Sequence, residues 1–228
     1  MNNSVNPYVN KLKEQSEYII PCYSNKIRDE DVAILQEKIS NFSDISVSDI
    51  DASNIIVEVC SGSGAHLIEL AKKFPLSLII GFELRFKRIF KTAQKAKREN
   101  LNNIILIRND ARNLNLWFKE RKISKLFINF PDPWDRDRWI KHRVLSKEFF
   151  DNLSKLLKKH GEFLYKTDHT ERFLETKLLL EENNLFNIVE YSEDLYNSPY
   201  IENNIKTEFE SLFLSQELNI NYLKAVKK

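Results

Sequence analysis

A chain of 228 residues that is 42% hydrophobic and 30% charged has the composition of a soluble globular protein, long enough for one well-buried α/β domain with modest extensions. Its apolar runs are strand-sized and too short for a bilayer, and its polar N-terminus lacks the basic-then-apolar order of a signal peptide. Cys22 and Cys60 have no spacing for a metal or a disulfide framework, which suits a reducing cytoplasm, and a net charge of +2 is by itself no argument for nucleic acid.

In chain order, residues 1–50 read as an N-terminal arm and a helix, because Val32, Leu35, Ile39 and Phe42 recur at helical spacing over 29–42. Residues 43–54 are rich in Ser, Asp and Asn and read as a loop. From 51 to 228, short apolar runs at 55–60, 78–83, 104–108, 126–130 and 162–167 alternate with helical patterns such as 67–74, 86–97 and 149–157. Alternation of this kind predicts an α/β fold of the Rossmann-like type: a mostly parallel central sheet with helices on both faces and ligands at the carboxyl ends of the strands. Residues 186–191 and 219–226 read as added edge strands, with a helix over 207–216 between them.

Charge is segregated along the chain. Residues 85–98 carry Arg85, Lys87, Arg88, Lys91, Lys95, Lys97 and Arg98 and no acid, whereas 170–217 carry eleven acids against three bases. Taken alone, the basic run reads as a solvated helix face ahead of RNA binding.

The strand at 55–60 leads into Glu58-Val59-Cys60-Ser61-Gly62-Ser63-Gly64, followed at once by the helical pattern of His66, Leu67, Leu70 and Phe74. Gly62 and Gly64 allow the backbone to turn tightly against a nucleotide-like ligand at a helix N-terminus. A dinucleotide would call for a third glycine where Leu67 stands. Glu58 suits a cofactor with an ammonium group and no phosphate, which S-adenosylmethionine presents. Glu83 closes the second strand, where an acid accepts hydrogen bonds from ribose hydroxyls, and Asp110 follows the third, placed for an adenine amino group. Each of these two acids alone is equally explained as a helix cap; three acids at successive strand ends beside a glycine turn favour a cofactor site.

After the fourth strand comes Asn129-Phe130-Pro131-Asp132-Pro133-Trp134, then a tail containing Arg136, Arg138, Lys141 and Arg143. Two prolines stiffen the backbone around Asp132, beside an aromatic able to stack on a base.

These blocks, with Gly81-Phe82-Glu83 and Thr207-Glu208-Phe209-Glu210, make the chain resemble the bacterial tRNA (guanine-N7-)-methyltransferase family, in order over 55–225. The resemblance implies methyl transfer from S-adenosylmethionine to guanine N7 in tRNA, at guanosine 46 of the variable loop, with no metal and no membrane. It puts Glu58, Gly62, Gly64, Glu83, Asp110 and Asp132 at cofactor positions and Asp132 at the catalytic one. Arg136, Asp168, Thr207, Glu208, Phe209 and Glu210 fall at substrate positions. Carboxylates such as Asp168 or Glu210 suit guanine's N1–H and N2–H₂ donors, and Arg136, Arg138, Lys141, Arg143 and the 85–98 helix suit tRNA phosphates.

The chain departs from the family pattern at several places. Cys60, Arg136 and Trp139 stand where Gly, Lys and His are usual, and Asp135 and Asp137 replace a usual Pro-Lys, diluting the basic tail. Cys60 fits if its φ is negative. Three other readings remain: a different RNA or DNA base methyltransferase, although an amino-group enzyme normally carries Asn/Asp-Pro-Pro-aromatic; a non-catalytic tRNA-binding relative; and a small-molecule methyltransferase, which leaves the basic helix and the Thr207–Glu210 block unexplained.

Overall fold

The computed structural model describes residues 6–20, 22, 26–45, 54–118 and 123–228. They fall into two compact units, one ending at Trp117 and the other beginning at Phe118. The boundary expected between residues 50 and 51, and most of the loop expected over 43–54, lie outside the described residues.

The first unit contains β1 (Ile19–Ile20), β2 (Ile55–Val59), β3 (Leu78–Phe82) and β4 (Ile104–Ile107), all parallel and in the spatial order β1-β4-β3-β2. Every residue of these strands is buried, which is why the sequence shows continuous apolar runs instead of alternation. Around them lie α1 (Tyr8–Lys13), α2 (Asp29–Ile45), α3 (Ala65–Lys73), α4 (Phe86–Arg98) and α5 (Leu114–Trp117). Both sheet faces are covered, because neighbouring strand residues point opposite ways. A Cβ on Gly81 would run into Leu67 of α3, while Phe82 meets the Trp117 ring of α5 edge-on at 6.1 Å.

The N-terminal segment is more than an arm. Ile19 and Ile20 pair with Leu106 and Ile107 as an edge strand, and Tyr8 of α1 packs on Phe90 of α4 at 5.7 Å. An apolar run of this length carries too little periodicity to be read beforehand. The helix expected over 29–42 runs on to Ile45.

The second unit contains β5 (Ile123–Asn129), β6 (Leu157–Thr167), β7 (Phe186–Ser192) and β8 (Asn221–Lys227) in the order β5-β6-β8-β7. The β5 and β6 strands are parallel, and β8 is antiparallel to both its neighbours; of the two expected edge strands, β7 lies at the edge, whereas β8 is inserted between β6 and β7. Its helices are α6 (Lys147–Leu156), α7 (Thr170–Glu182) and α8 (Glu208–Leu214). Alternation along β6 sends Tyr165 toward Phe173 of α7 and Lys166 toward Glu210 of α8, which again covers both faces. Among the described residues no helix is long and apolar enough to cross a membrane, and no group of three His, Cys, Asp or Glu residues is arranged to hold a metal ion.

Candidate active site

Register aligns the carboxyl ends of the first unit's strands. Val59 pairs with Phe82 and Phe82 with Ile107, so the turns that follow start at one level. The first turn is the glycine loop, with Gly62 at φ 57° and Gly64 at φ 77°, both left-handed. At Gly64 a side chain would also collide with Thr92 of α4, so the start of α3 and α4 approach as closely as they do only because no Cβ is there.

Glu83 organises this loop directly. Its Oε2 accepts from Gly62 N–H at 2.9 Å and its Oε1 from Arg85 N–H at 2.8 Å, at the entry to α4. Burial raises its pKa, and bonds from the Arg85 and Gly62 N–H groups and the charges of Arg88 and Arg85 oppose that rise. Each carboxylate oxygen can accept twice, so these bonds leave capacity for ribose hydroxyls. Lys95 of α4 reaches back to the loop as well, donating to Ser63 O at 2.9 Å.

Glu58 is 2% exposed and lies 3.0 Å from Nδ1 of His66, itself buried at the start of α3. In the sequence His66 belongs only to a helical pattern, and no local signal marks a partner eight residues away across a strand-to-helix turn. Asp110 is a cap: it accepts from Arg112 N–H at 3.0 Å and forks onto the Arg112 guanidinium at 2.6–3.1 Å.

Cys60 requires a correction. Its φ is +59°, not negative, because the chain leaving β2 must swing so that Ser61 N–H can donate to Phe82 O at 3.1 Å. A non-glycine residue in that region costs about 1–2 kcal/mol.

In the second unit, Asp132 and Asp168 follow adjacent parallel strands, since Asn129 at the end of β5 is paired with Lys166 one residue from the end of β6. Asp132 is exposed and Asp168 half-buried, with a pKa raised by burial and partly restored by a backbone N–H and His169. The Pro-Asp-Pro segment is bracketed by two aromatic residues in left-handed conformation, Phe130 at φ 50° and Trp134 at φ 48°. Such residues cost of order 1 kcal/mol each and persist only where surroundings enforce them. Phe130 is held by its N–H on Lys166 O at 2.8 Å and by tilted ring contacts with Phe209 at 6.1 Å and Phe213 at 5.3 Å. Trp134 is held by Trp139 at 5.7 Å and His142 at 5.4 Å. A small cleft opens beside this loop, with Asp132, Arg143, Tyr165 and Arg172 among its lining residues.

The Thr207 to Glu210 block divides. Thr207 and Glu210 form a capping box on α8: Glu210 N–H donates to Thr207 Oγ1 at 3.0 Å, and Thr207 N–H to Glu210 Oε2 at 2.7 Å. Glu210 is fully buried and also accepts from Lys166 Nζ at 2.7 Å, Asn204 Nδ2 at 2.7 Å and Tyr196 O–H at 3.3 Å. Four donors engage the four lone-pair directions of a carboxylate, so the expectation that Glu210 accepts from guanine gives way. Glu208 is exposed and Phe209 half-buried against Phe130.

The cations sort in the same way. Arg136 and Arg138 are exposed and both lie 4.8 Å from the Trp139 ring, and Lys141 is exposed. Arg143, expected to meet phosphate, is turned inward, donating to Trp134 O at 3.4 Å and lying 3.5 Å from Glu175. On α4, Lys87, Lys91, Lys97 and Arg98 face solvent while Ile89, Ala93 and Ala96 are buried.

A nucleotide-type glycine turn, acids after successive parallel strands and an antiparallel end to the second half define the class I methyltransferase fold. The 16S rRNA methyltransferase KamB superposes with a TM-score of 0.61 at 15% identity, over 89% of this chain and 95% of that one. Residues 52–223 match the family model described as "Putative methyltransferase". The chain is 36% identical over 174 residues to the tRNA (guanine-N(7)-)-methyltransferase of Clostridioides difficile (strain 630), covering 76% of this chain and 80% of that protein. It is also 36% identical over 226 residues to a bifunctional glycosyltransferase/methyltransferase of Fusobacterium nucleatum subsp. nucleatum; this covers 99% of the chain but only 33% of that protein, so the chain spans about a third of that relative. The chain belongs to the tRNA (guanine-N7-)-methyltransferase family.

Proposed function

We propose that this protein transfers a methyl group from S-adenosylmethionine to N7 of guanine in tRNA, at guanosine 46 of the variable loop, and that it works in the cytoplasm. The observation that carries this reading is Asp132, held exposed between two prolines at the end of β5 by a backbone left-handed at both flanks, in a chain with this family likeness.

The residues at the first unit's strand ends fit the cofactor. Gly62 and Gly64 give the close backbone approach, Glu83 serves the ribose, Glu58 the ammonium group and Asp110 the adenine edge. When bound, S-adenosylmethionine supplies an electrophilic methyl group on a sulfonium sulfur.

Guanine N7 has an in-plane lone pair and no proton to lose, so the reaction needs alignment and charge stabilisation in place of a strong base. The lone pair forms the N–CH₃ bond as the S–CH₃ bond breaks, leaving a neutral thioether and a cationic purine. The Asp132 carboxylate stabilises that developing positive charge. Asp168 accepts from N1–H and N2–H₂, donors that adenine lacks in this arrangement. Arg136, Arg138, Lys141 and the solvent face of α4 hold phosphates, and the target base leaves its stack to be reached.

The test is incubation of the protein with labelled S-adenosylmethionine and unmodified tRNA, followed by nucleoside mass spectrometry. Label in 7-methylguanosine is expected; its absence with folded, tRNA-binding protein favours a non-catalytic relative, and label in another base moves the substrate assignment.

A further inference from the structure

Asp135 is the residue least expected in a phosphate-binding tail, and the structure gives it partners. Its Oδ1 lies 3.2 Å from His169 Nε2 and 3.6 Å from Arg172 Nε. Arg172 is only 13% exposed and is itself fixed by Glu175 at 2.6 Å, the same carboxylate that faces Arg143 at 3.5 Å. Arg143 in turn donates to the carbonyl of Trp134. Thus His169 and Arg172 at the start of α7 meet Asp135 directly, while Glu175 of the same helix faces Arg143, which holds the backbone carbonyl of Trp134.

That segment needs a grip. Residues 131–135 form no regular structure, and Trp134 sits at positive φ, so ladder bonds do not hold its conformation. The Phe130 side is already anchored to β6 and α8. Asp135 is 53% exposed, so its ion pairs add little to global stability, yet a weak contact is sufficient to hold a short loop against local opening.

We infer that Asp135, through His169 and Arg172, is a positioning residue that fixes the Asp132 loop for methyl transfer, and that its negative charge serves this purpose at the expense of phosphate attraction. The inference rests on the catalytic role of Asp132 proposed above.

Two measurements on the full chain test it, with wild type, Asp135→Ala, Arg172→Ala and the double variant side by side. Hydrogen exchange at the amides of Asp132, Trp134, Asp135 and Arg136 is expected to quicken in both single variants by about the same factor, with no further gain in the double. Steady-state methylation of unmodified tRNA is expected to show kcat down about tenfold in each, again without addition, and KM for S-adenosylmethionine unchanged. Asp135→Ala is expected to bind tRNA at least as tightly as wild type, because an acid has left a basic surface. Unchanged exchange, additive losses, or a kcat fall matched by a fall in folded fraction overturns the inference. Tighter tRNA binding at unchanged kcat also overturns it, since Asp135 would then only dilute charge. Absence of 7-methylguanosine from wild type counts against the proposed function alone, and the exchange data still decide the loop.

Discussion

Lys166 Nζ donates to Glu210 Oε2 at 2.7 Å with the two side chains only 5% and 0% exposed, tying the end of β6 to the first turn of α8. Three further donors complete the carboxylate, so this is a satisfied buried pair and not a bare one. Removing one partner of such a pair leaves a buried charge unmatched and costs about 3–5 kcal/mol. Glu210→Ala should therefore lower the melting midpoint by about 6–20 °C, at about 2–4 °C per kcal/mol for a chain of this size. A midpoint within 2 °C of wild type would remove Glu210 from its structural role.

The same group predicts a pH dependence. Burial pushes the Glu210 carboxyl up, but the Lys166 charge and the bonds from Lys166, Asn204 and Thr207 outweigh it and hold its pKa below the ordinary 4.5. A carboxyl with a depressed native pKa stabilises the fold fully above its unfolded value and loses that contribution as pH falls through the native one. Wild-type stability should thus decline below about pH 4.5, and Glu210→Gln should flatten that part of the curve. Chemical denaturation from pH 3 to 7 measures both slopes; equal slopes would exclude Glu210 as a source of the decline.

How much of this was legible beforehand follows from the range of each signal. The buried parallel strands announce themselves as apolar runs, and the glycine loop is a contiguous pattern, so Gly62, Gly64, Glu83 and Asp132 emerge from local sequence. Thr207-x-x-Glu210 carries the Ser/Thr-x-x-Glu form of a capping box, a local signal that was available and was outweighed by the family likeness. The partners of Glu58, Glu210 and Asp135 were not legible. His66, Lys166 and Arg172 come from other elements and meet their acids only through tertiary packing. The positive φ at Cys60, Phe130 and Trp134 was hidden for a related reason, since no propensity places non-glycine residues there.

Cys60 offers a test of backbone strain in the cofactor loop. Glycine removes a penalty of about 1–2 kcal/mol at φ +59° but adds about 0.5–1 kcal/mol of unfolded-chain freedom, so Cys60→Gly should raise the midpoint slightly, by about 1–3 °C. Cys60→Val, β-branched in the same conformation, should lower it by several degrees. Calorimetry distinguishes the two, and a Val variant as stable as the Gly variant would show that the loop relaxes away from positive φ.

Gly64 is more sharply constrained, because space and conformation both oppose a side chain. Gly64→Ala places a methyl against Thr92 and leaves φ near 77°, so a loss of at least 2 kcal/mol is expected, together with weakened S-adenosylmethionine binding. Adding Thr92→Ala removes the two nearest atoms but leaves the Thr92 Cβ at 2.8 Å, so it should recover part of the steric loss and none of the conformational part. A double variant no more stable than Gly64→Ala would mean that overlap with Thr92 is not the cause.

Asp132 is exposed and makes its proposed contribution through charge, so its substitution should separate chemistry from folding. Asp132→Asn keeps the size and the flanking prolines while removing the carboxylate that faces the purine cation as it forms. Loss of one preorganised electrostatic partner costs about 10²–10³ in kcat. The expected result is that fall in 7-methylguanosine formation, with the melting midpoint within 1–2 °C of wild type and S-adenosylmethionine bound within a few-fold. Saturating tRNA should not restore the rate, because the defect lies in the transition state and not in ground-state binding. A variant whose kcat is near normal and whose KM alone rises would make Asp132 a substrate-binding group and would leave the charge stabilisation to another acid, with Asp168 the first to substitute.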